Sequence, residues 1–320
     1  MYNNNNLSGK MADDNQIINT SIPVIDLREF GGSNSEKAYT KLREASEEWG
    51  CFRLINHQIP TDLMSEMKTV ARSLLDLPAE IKKRNTYDVA RGRGYVAPSP
   101  ANPYEALDLY DFASTEALRL FCDRLYASPH QREIIEKYVG AIHELVLDIG
   151  RKLAKSMGLK CNIFEEYWSC QLRIIKYNFT PQSVGSSGAR IHTDSGFLTI
   201  LQDDENVGGL EVMNKNSEFV AVDPWPGTLL LNLGDVATAW SNGRFCNVKH
   251  RVQCREATIR VSIASFVWGP KNEAVEAPAE FVDSEHPPLY VPFHYEDYWK
   301  LRLSKNKIAG EALELVRAER

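Results

Sequence analysis

The sequence predicts an α+β fold in which helices wrap a β-barrel, and a change of pattern along its 320 residues indicates this arrangement. In the first half, apolar residues recur every three or four positions, as in amphipathic helices. From Gln171 onward the period falls to two, and glycine turns such as Gly208 and Gly209 separate the runs, as in a series of strands. With 43% hydrophobic residues the chain can bury a substantial core, and we expect one large domain.

The first half carries a polar tail, one strand and several helices. Residues 1–20 contain few apolar groups, so they cannot bury enough surface to offset the entropy lost on ordering, and we expect a disordered tail. An opening strand is predicted at residues 22–27. The apolar spacing predicts helices at residues 36–49, 63–75, 129–157 and 163–168.

The second half predicts the strands of the barrel and a final helix. Residues 219–222 and 228–233 have strand composition, and a run rich in proline and glycine forms the turn between them. The chain then divides into the tail, an N-terminal region of helices and strands at 21–160, a barrel core at 161–300 and a C-terminal helix at 301–320. We expect this helix to pack across the barrel or cap its pocket through one apolar side: Ile308, Ala312, Leu313 and Val316.

Charge and cysteine usage exclude several classes of protein. A net charge of −6 gives no basic surface for nucleic acid, and no cluster of lysines and arginines marks a membrane-binding face. No apolar run of about 18 residues and no apolar signal segment occurs. We therefore expect a cytoplasmic protein with small-molecule partners, assumed to be a monomer. The six cysteines lack Cys-x-x-Cys spacing, which argues against a zinc site or disulfides.

Three residues have the spacing of a metal site. His192 and Asp194 are two positions apart, so on an extended strand both point to one face. His250 lies far enough along the chain to return on another strand to the same end of the barrel. Two imidazoles and one carboxylate form the facial triad that binds Fe(II) and leaves positions open for a co-substrate and O₂. Because the chain has seven histidines, a pair of surface histidines is the alternative.

A second pair of residues beyond His250 favours the iron interpretation. Arg260 and Ser262 share one face of a predicted strand at 258–268, and a planar guanidinium matches the geometry of a carboxylate. The pair can bind the distal acid of a dicarboxylate whose 2-oxo acid end chelates the iron. Tyr177 can donate a further hydrogen bond to that acid. A salt bridge on the barrel surface is the alternative role of Arg260.

Further segments occur in the order of a known family. An opening strand at 22–27 is followed by a Trp-Gly-Cys-Phe run at 49–57, and then by the His-x-Asp, His and Arg-x-Ser motifs. From about Ile22 to the C-terminus the sequence resembles the plant 2-oxoglutarate- and Fe(II)-dependent dioxygenases. Within that family, the runs at 102–107, 127–133, 240–244 and 251–254 are most similar to the dioxygenases for auxin oxidation.

The resemblance implies a double-stranded β-helix, or jelly roll, wrapped by helices. It implies Fe(II) and 2-oxoglutarate as cofactors, ascorbate as reductant, and oxidation of indole-3-acetic acid to 2-oxindole-3-acetic acid. At two positions expected near the site, this sequence differs from the family. Ile175 stands where family members often have an asparagine that contacts 2-oxoglutarate, and Asp108 stands where auxin oxidases have glycine, in a region expected to roof the substrate pocket. The residues implied are catalytic metal ligands His192, Asp194 and His250, and co-substrate ligands Arg260, Ser262 and Tyr177.

The substrate pocket is expected to contain aromatic residues and a cation. Phe266 shares the strand face of Ser262 and matches a position where family members stack an aromatic ring on the substrate. Phe197 follows the metal motif and Phe112 follows the expected roof, whereas Arg93, in a glycine loop, can meet an acid group. The alternatives are ordinary core aromatics and a solvated loop charge.

Other functions compete with auxin oxidation. A dioxygenase with the same iron chemistry could instead hydroxylate a specialised metabolite, such as an alkaloid, steroid or flavonoid, or another hormone such as gibberellin. A binding or sensing module that has lost turnover is a third class, although the complete set of motif residues argues against it. An oxidase of the ACC type shares the triad and the Arg-x-Ser motif but uses no 2-oxoglutarate.

Overall fold

The computed structural model describes residues 21–32, 34–86, 94–99, 103–164 and 168–319, in which twelve strands form two sheets. The larger sheet has, in spatial order, β1 (Val24–Asp26), β2 (Cys51–Ile55), β10 (Leu229–Leu233), β7 (Leu198–Gln202), β12 (Ile259–Pro270), β5 (Trp168–Asn178), β4 (Tyr104–Tyr110) and β3 (Tyr95–Val96). The smaller sheet has β6 (Ser187–His192), β11 (His250–Gln253), β8 (Leu210–Met213) and β9 (Phe219–Ala221).

The two sheets face each other and enclose an apolar interior. Tyr177 of β5 and Leu230 of β10 are buried together with Val212 of β8 and Val252 of β11. Strands adjacent in space are distant in sequence, as β7 between β10 and β12 shows. All strand pairs are antiparallel except β1 with β2. This is the double-stranded β-helix that the family resemblance implies.

Helices cover the outer face of the larger sheet. A second core lies there, where Leu74 and Ile149 of two helices are buried in one cluster with Leu172 and Ile263 of the sheet. Side chains alternate along each strand, so the same strands supply the barrel interior with their other face. The helices are α1 (Ser35–Glu48), α2 (Thr61–Leu75), α3 (Ala79–Lys82), α4 (Thr115–Arg124), α5 (Pro129–Ser156), α6 (Asp235–Trp240) and α7 (Tyr295–Ser304).

Most of the predicted elements are present within one or two residues. The structure has α1, α2 and α5 where the apolar spacing predicts helices, and β1, β9 and β10 where strands are predicted. The helix predicted at 163–168 is not observed in the described residues, because Ile163 and Phe164 lie in a turn and Trp168 begins β5. The tail at 1–20 and Arg93 lie outside the described residues.

The continuous C-terminal helix predicted at 301–320 is wrong. Helix α7 ends at Ser304, Asn306 adopts a φ of 50°, and Gly310 adopts a φ of 91°, a left-handed conformation that interrupts a right-handed helix. A 3₁₀ helix at Glu311–Val316 follows, and it buries three of the four predicted apolar residues: Ala312, Leu313 and Val316. The segment therefore packs through the expected side chains in a different backbone conformation.

In the part of the chain that the structure describes, no helix is long and apolar enough to cross a membrane.

The eight-stranded sheet takes β1 to β4 from the predicted N-terminal region and β5, β7, β10 and β12 from the predicted barrel core. The two regions therefore contribute strands to one sheet.

The start of α5 gives a test of the fold. Ser128 accepts a hydrogen bond from the Gln131 backbone N–H, and the Gln131 side chain accepts one from the Ser128 N–H, forming a capping box. Ser128→Ala should lower the free energy of unfolding by about 1 kcal/mol, whereas Ser128→Asn, which keeps an acceptor, should change it little. Urea unfolding followed by circular dichroism measures both, and equal loss in the two variants would contradict the assignment.

Candidate metal centre and co-substrate site

The predicted metal ligands come together at one end of the barrel interior. His192 ends β6 and His250 begins β11, and their Cα positions are direct partners in the antiparallel pair. The Nε2 atoms of His192 and His250 lie 3.9 Å and 3.8 Å from Oδ1 of Asp194, which follows β6. One ligand atom from each residue lies within 4.8 Å of the others, as a single metal ion requires.

Backbone carbonyls orient both imidazole rings. Nδ1 of His192 lies 2.7 Å from the carbonyl oxygen of Arg190, and Nδ1 of His250 lies 3.2 Å from that of Val248. A carbonyl only accepts, so each Nδ1 carries the proton and each Nε2 presents a lone pair. Partial burial and the adjacent His250 ring lower the pKa of His192, which favours the neutral ligand form.

The carboxylate of Asp194 is held on its other side. Its Oδ2 accepts a hydrogen bond of 2.6 Å from Oγ1 of Thr199, a buried residue of β7. Burial raises the pKa of Asp194, but His250 and His192 outweigh it and hold this pKa below its usual range. Oδ1 therefore stays negatively charged and can act as a metal ligand beside the two imidazole nitrogens. This set of two neutral nitrogens and one anionic oxygen suits Fe(II).

The predicted co-substrate residues lie on the interior face of the larger sheet. In the pairing of β12 with β5, Arg260 is opposite Tyr177 and Ser262 is opposite Ile175. Directly opposed residues share a face, and Tyr177 belongs to the buried cluster between the sheets. Burial raises the pKa of Tyr177, so its phenol stays protonated and able to donate. Ile175 brings an apolar side chain to this face, and it cannot donate a hydrogen bond there.

Arg260 is buried in an ion pair that its sequence motif does not reveal. The side chain is 1% exposed, and Nη2 donates to Oδ1 of Asp203, which follows β7. The guanidinium carbon lies 5.3 Å from the centre of the Tyr177 ring. Among the residues that the structure describes, none accepts a hydrogen bond from the buried Nε of Arg260. A buried donor of this kind is costly unless paired, so the guanidinium fits a further carboxylate such as the distal acid of 2-oxoglutarate.

The three predicted aromatic residues occupy different environments. Phe266 is half-buried on the interior face of β12, directly opposite Thr199, and so lies at the metal end. Phe197 is fully buried in the helix-side core, 5.2 Å from the ring of Phe164 and 5.5 Å from that of Trp240. Phe112 is buried in the same helix-side core. Of the three, Phe266 alone lies on the interior strand face with the co-substrate residues.

A further charged pair lies on the interior face and was not predicted. Arg173 of β5 is opposite Ala264 of β12 and diagonal to Phe266. Its Nε and Nη2 donate to the two carboxylate oxygens of Asp108, on β4, at 2.6 Å and 2.7 Å. Asp108, expected in the pocket roof, is thus a fully buried strand residue. The period-two pattern of β5 places Arg173 and Tyr177 on one face, so the sequence alone could have indicated that Arg173 lies on the interior face.

Comparison with protein families identifies the class. Residues 168–268 match the 2OG-Fe(II) oxygenase superfamily, and residues 22–121 match the N-terminal region of non-haem dioxygenases in morphine synthesis. The chain is 51% identical over 294 residues to the 2-oxoglutarate-dependent dioxygenase DAO of Oryza sativa subsp. indica, which covers 91% of this chain and 97% of that one. The chain therefore belongs to the Fe(II)- and 2-oxoglutarate-dependent oxygenases.

Solved structures show the same fold. The crystal structure of the dioxygenase for auxin oxidation in rice aligns with a TM-score of 0.86 at 50% identity, covering 93% of this chain and all of that one. A complex of dioxygenase for auxin oxidation 1 from Arabidopsis thaliana with 2-oxoglutarate aligns with a TM-score of 0.79 at 57% identity, covering 83% of this chain and all of that one.

Thr199 gives a test of the metal centre. Thr199→Val keeps the shape of the side chain but removes the hydrogen bond to Asp194, which frees the carboxylate to turn away from the imidazoles. We expect metal affinity to fall by about 10- to 100-fold, the usual effect of removing a partner that orients a ligand. Thr199→Ser keeps the hydroxyl and should retain most of the affinity. Titration of metal-free protein with Mn(II) measures both, and equal affinity for Thr199→Val would contradict this role.

Proposed function

We propose that this oxygenase oxidises indole-3-acetic acid to 2-oxindole-3-acetic acid. The chain is 51% identical, over 91% of its length, to the rice enzyme DAO, and the dioxygenase for auxin oxidation in rice has the same fold, which together support this reaction most directly. The interior face of β12 supports it, because it carries an aromatic ring at the metal end and a guanidinium at the other.

In this proposal the metal end and the co-substrate end have separate roles. His192, Asp194 and His250 hold Fe(II), and Arg260 binds the distal carboxylate of 2-oxoglutarate. When bound, Fe(II) and 2-oxoglutarate together allow O₂ to be used, with release of succinate and CO₂ and transfer of one oxygen atom to the substrate. Ser262 and Tyr177 add hydroxyl donors beside the guanidinium.

The chain's own contribution is to position the reactants and exclude water. Arg260 is 1% exposed, so a carboxylate bound there is held in a dry environment, where a charge-assisted hydrogen bond is strongest. Phe266 offers an aromatic surface for an indole ring beside Thr199 and the metal ligands. Arg173 offers the interior cation for the acetic acid group; Arg93, the cation predicted from the sequence, lies outside the described residues.

A second candidate substrate class has support from the Arg173 ion pair. Because Asp108 already neutralises this guanidinium through two hydrogen bonds, an acidic substrate must share it with a buried carboxylate. A specialised metabolite without an acid group, such as an alkaloid, steroid or flavonoid, would meet no such competition. The same argument disfavours gibberellin, which is an acid.

Three further properties stay proposals. We propose ascorbate as the reductant that keeps the iron ferrous, a cytoplasmic location, and action as a monomer. Free cysteines support a reducing compartment, since the six form no disulfide in the structure.

Product analysis tests the proposed reaction. Iron-loaded protein supplied with 2-oxoglutarate, ascorbate and O₂ should release succinate in step with a product that is one oxygen atom heavier than indole-3-acetic acid. His192→Ala should abolish both by removing a metal ligand. Mass spectrometry detects the product and an enzymatic assay detects succinate. If only metabolites without an acid group stimulate succinate release, the second substrate class is supported instead of indole-3-acetic acid. If no substrate stimulates succinate release, both proposed substrate classes are refuted.

Asp108 tests the role of the interior cation. Asp108→Asn removes the competing negative charge, so kcat/KM for indole-3-acetic acid relative to its uncharged methyl ester should rise about 10-fold, the effect of roughly 1.4 kcal/mol. Arg173→Gln should lower the same ratio. Steady-state kinetics with both substrates gives the ratio within one protein preparation, so a partial loss of folded protein cancels. An unchanged ratio in both variants would show that Arg173 does not bind the substrate acid.

A further inference from the structure

A fully buried carboxylate behind the metal centre joins three segments of the chain. Asp235, the first residue of α6, has 0% exposure. Its Oδ1 accepts hydrogen bonds from Oγ1 of Thr193 at 2.8 Å and from Nδ2 of Asn247 at 2.7 Å. Its Oδ2 accepts one from the Tyr298 hydroxyl at 2.7 Å and one from Nη1 of Arg302. Both oxygens are therefore saturated by donors that are distant in sequence.

Two of these donors lie within the segments that carry the metal ligands. Thr193 stands between His192 and Asp194 and faces away from them, so its hydroxyl ties the metal motif to Asp235. Asn247 lies three residues before His250 and ties the second histidine segment to the same carboxylate. The Thr193 and Asn247 bonds end on one oxygen atom, which fixes the two segments relative to each other.

The backbone around Asp235 also contacts the metal motif. The Asp235 N–H donates to the carbonyl oxygen of Asp194 at 2.9 Å. A Cβ on Gly234 would lie 2.3 Å from the carbonyl oxygen of Gly196 and 2.6 Å from that of Asp194. Only glycine permits this approach. The start of α6 is thus packed directly against the chain that presents the carboxylate ligand.

The third segment is the C-terminal helix. Arg302 of α7 is 5% exposed, and besides Asp235 it donates from Nη2 to the carbonyl oxygens of Thr193 and Ile308, each at 2.5 Å. The Thr193 N–H donates to the same Ile308 carbonyl at 2.9 Å. The guanidinium and Asp235 form a buried ion pair, in which removal of one partner leaves the other charge uncompensated. Helix α7 therefore reaches the metal motif through Thr193.

We propose that Asp235 is a positioning residue of the metal centre, which sets the relative placement of the two histidine segments and makes α7 part of the metal site's support. Among the described residues its side chain makes no hydrogen bond to the side chain of a metal ligand, and it acts through Thr193, Asn247 and Arg302. The inference rests on the proposed metal ligands. In this account the C-terminal segment is required for metal affinity, beyond any part it has in covering the pocket.

Metal affinity of the full-length protein tests the proposal. Asp235→Asn should weaken Co(II) binding to chelator-treated protein by about 10- to 100-fold and change the visible spectrum of the bound ion, because the ligands are no longer held in register. Glu105→Gln is the matched control. Glu105 is a partly buried carboxylate that accepts from Lys82 and Tyr95 on the outer side of the sheet, so its variant should lose stability but keep Co(II) affinity.

A milder pair of variants keeps the test decisive if Asp235→Asn does not fold. Thr193→Val removes one bond to Asp235 with little change of shape and should weaken Co(II) binding several-fold, whereas Thr193→Ser should restore it. Unchanged Co(II) affinity in folded Asp235→Asn or Thr193→Val would overturn the inference. His192→Ala separates this failure from that of the proposed ligands, since Co(II) affinity unaffected by His192→Ala would refute the ligand assignment itself.

Discussion

The pairing of β6 with β11 is the constraint on which the rest of the site depends. Antiparallel register places His192 directly opposite His250, and the two rings lie 4.2 Å apart between centres. A one-residue slip would turn one of the imidazoles to the other face of the sheet and destroy the donor set. Asp194 can complete the set only because the chain leaves β6 at this point and is held by Thr199 and by the start of α6.

Charge burial organises the rest of the interior. Arg260 with Asp203, Arg173 with Asp108, and Arg302 with Asp235 are ion pairs in which each carboxylate is at most 9% exposed. Burying such groups is costly unless each is paired, so the folded barrel depends on all three. The three pairs differ in location: one lies beside the proposed site for 2-oxoglutarate, one lies near Phe266, and one lies behind the proposed metal ligands. A carboxylate that binds in the interior therefore has to share a guanidinium with the carboxylate that is already paired with it.

The sequence predicted what short-range periodicity and motif spacing encode. The strands bearing His192 and Arg260 and the long helix α5 follow from such patterns, whereas the double-stranded β-helix was implied by the resemblance to a known family. Asp203 and Asp235 were missed because their partners are 57 and 67 residues away and no local pattern joins them. The C-terminal helix was misplaced because its apolar residues keep helical spacing across Gly310, whose φ of 91° belongs to a turn. Long-range contacts and single backbone conformations decide these features, and neither is visible in a window of sequence.

We propose that three side chains at one end of the barrel hold iron and that Arg260 holds the distal acid of 2-oxoglutarate. Anaerobic titration of iron-loaded protein with 2-oxoglutarate, followed by the charge-transfer absorption of the chelated metal, tests both parts together. We predict saturable absorption in the native protein, none in His250→Ala, and a midpoint raised by about 10- to 150-fold in Arg260→Ala, as loss of roughly 1.5 to 3 kcal/mol requires. A native midpoint in Arg260→Ala would contradict the role of Arg260 in binding 2-oxoglutarate, and native absorption in His250→Ala would contradict the role of His250 as a metal ligand.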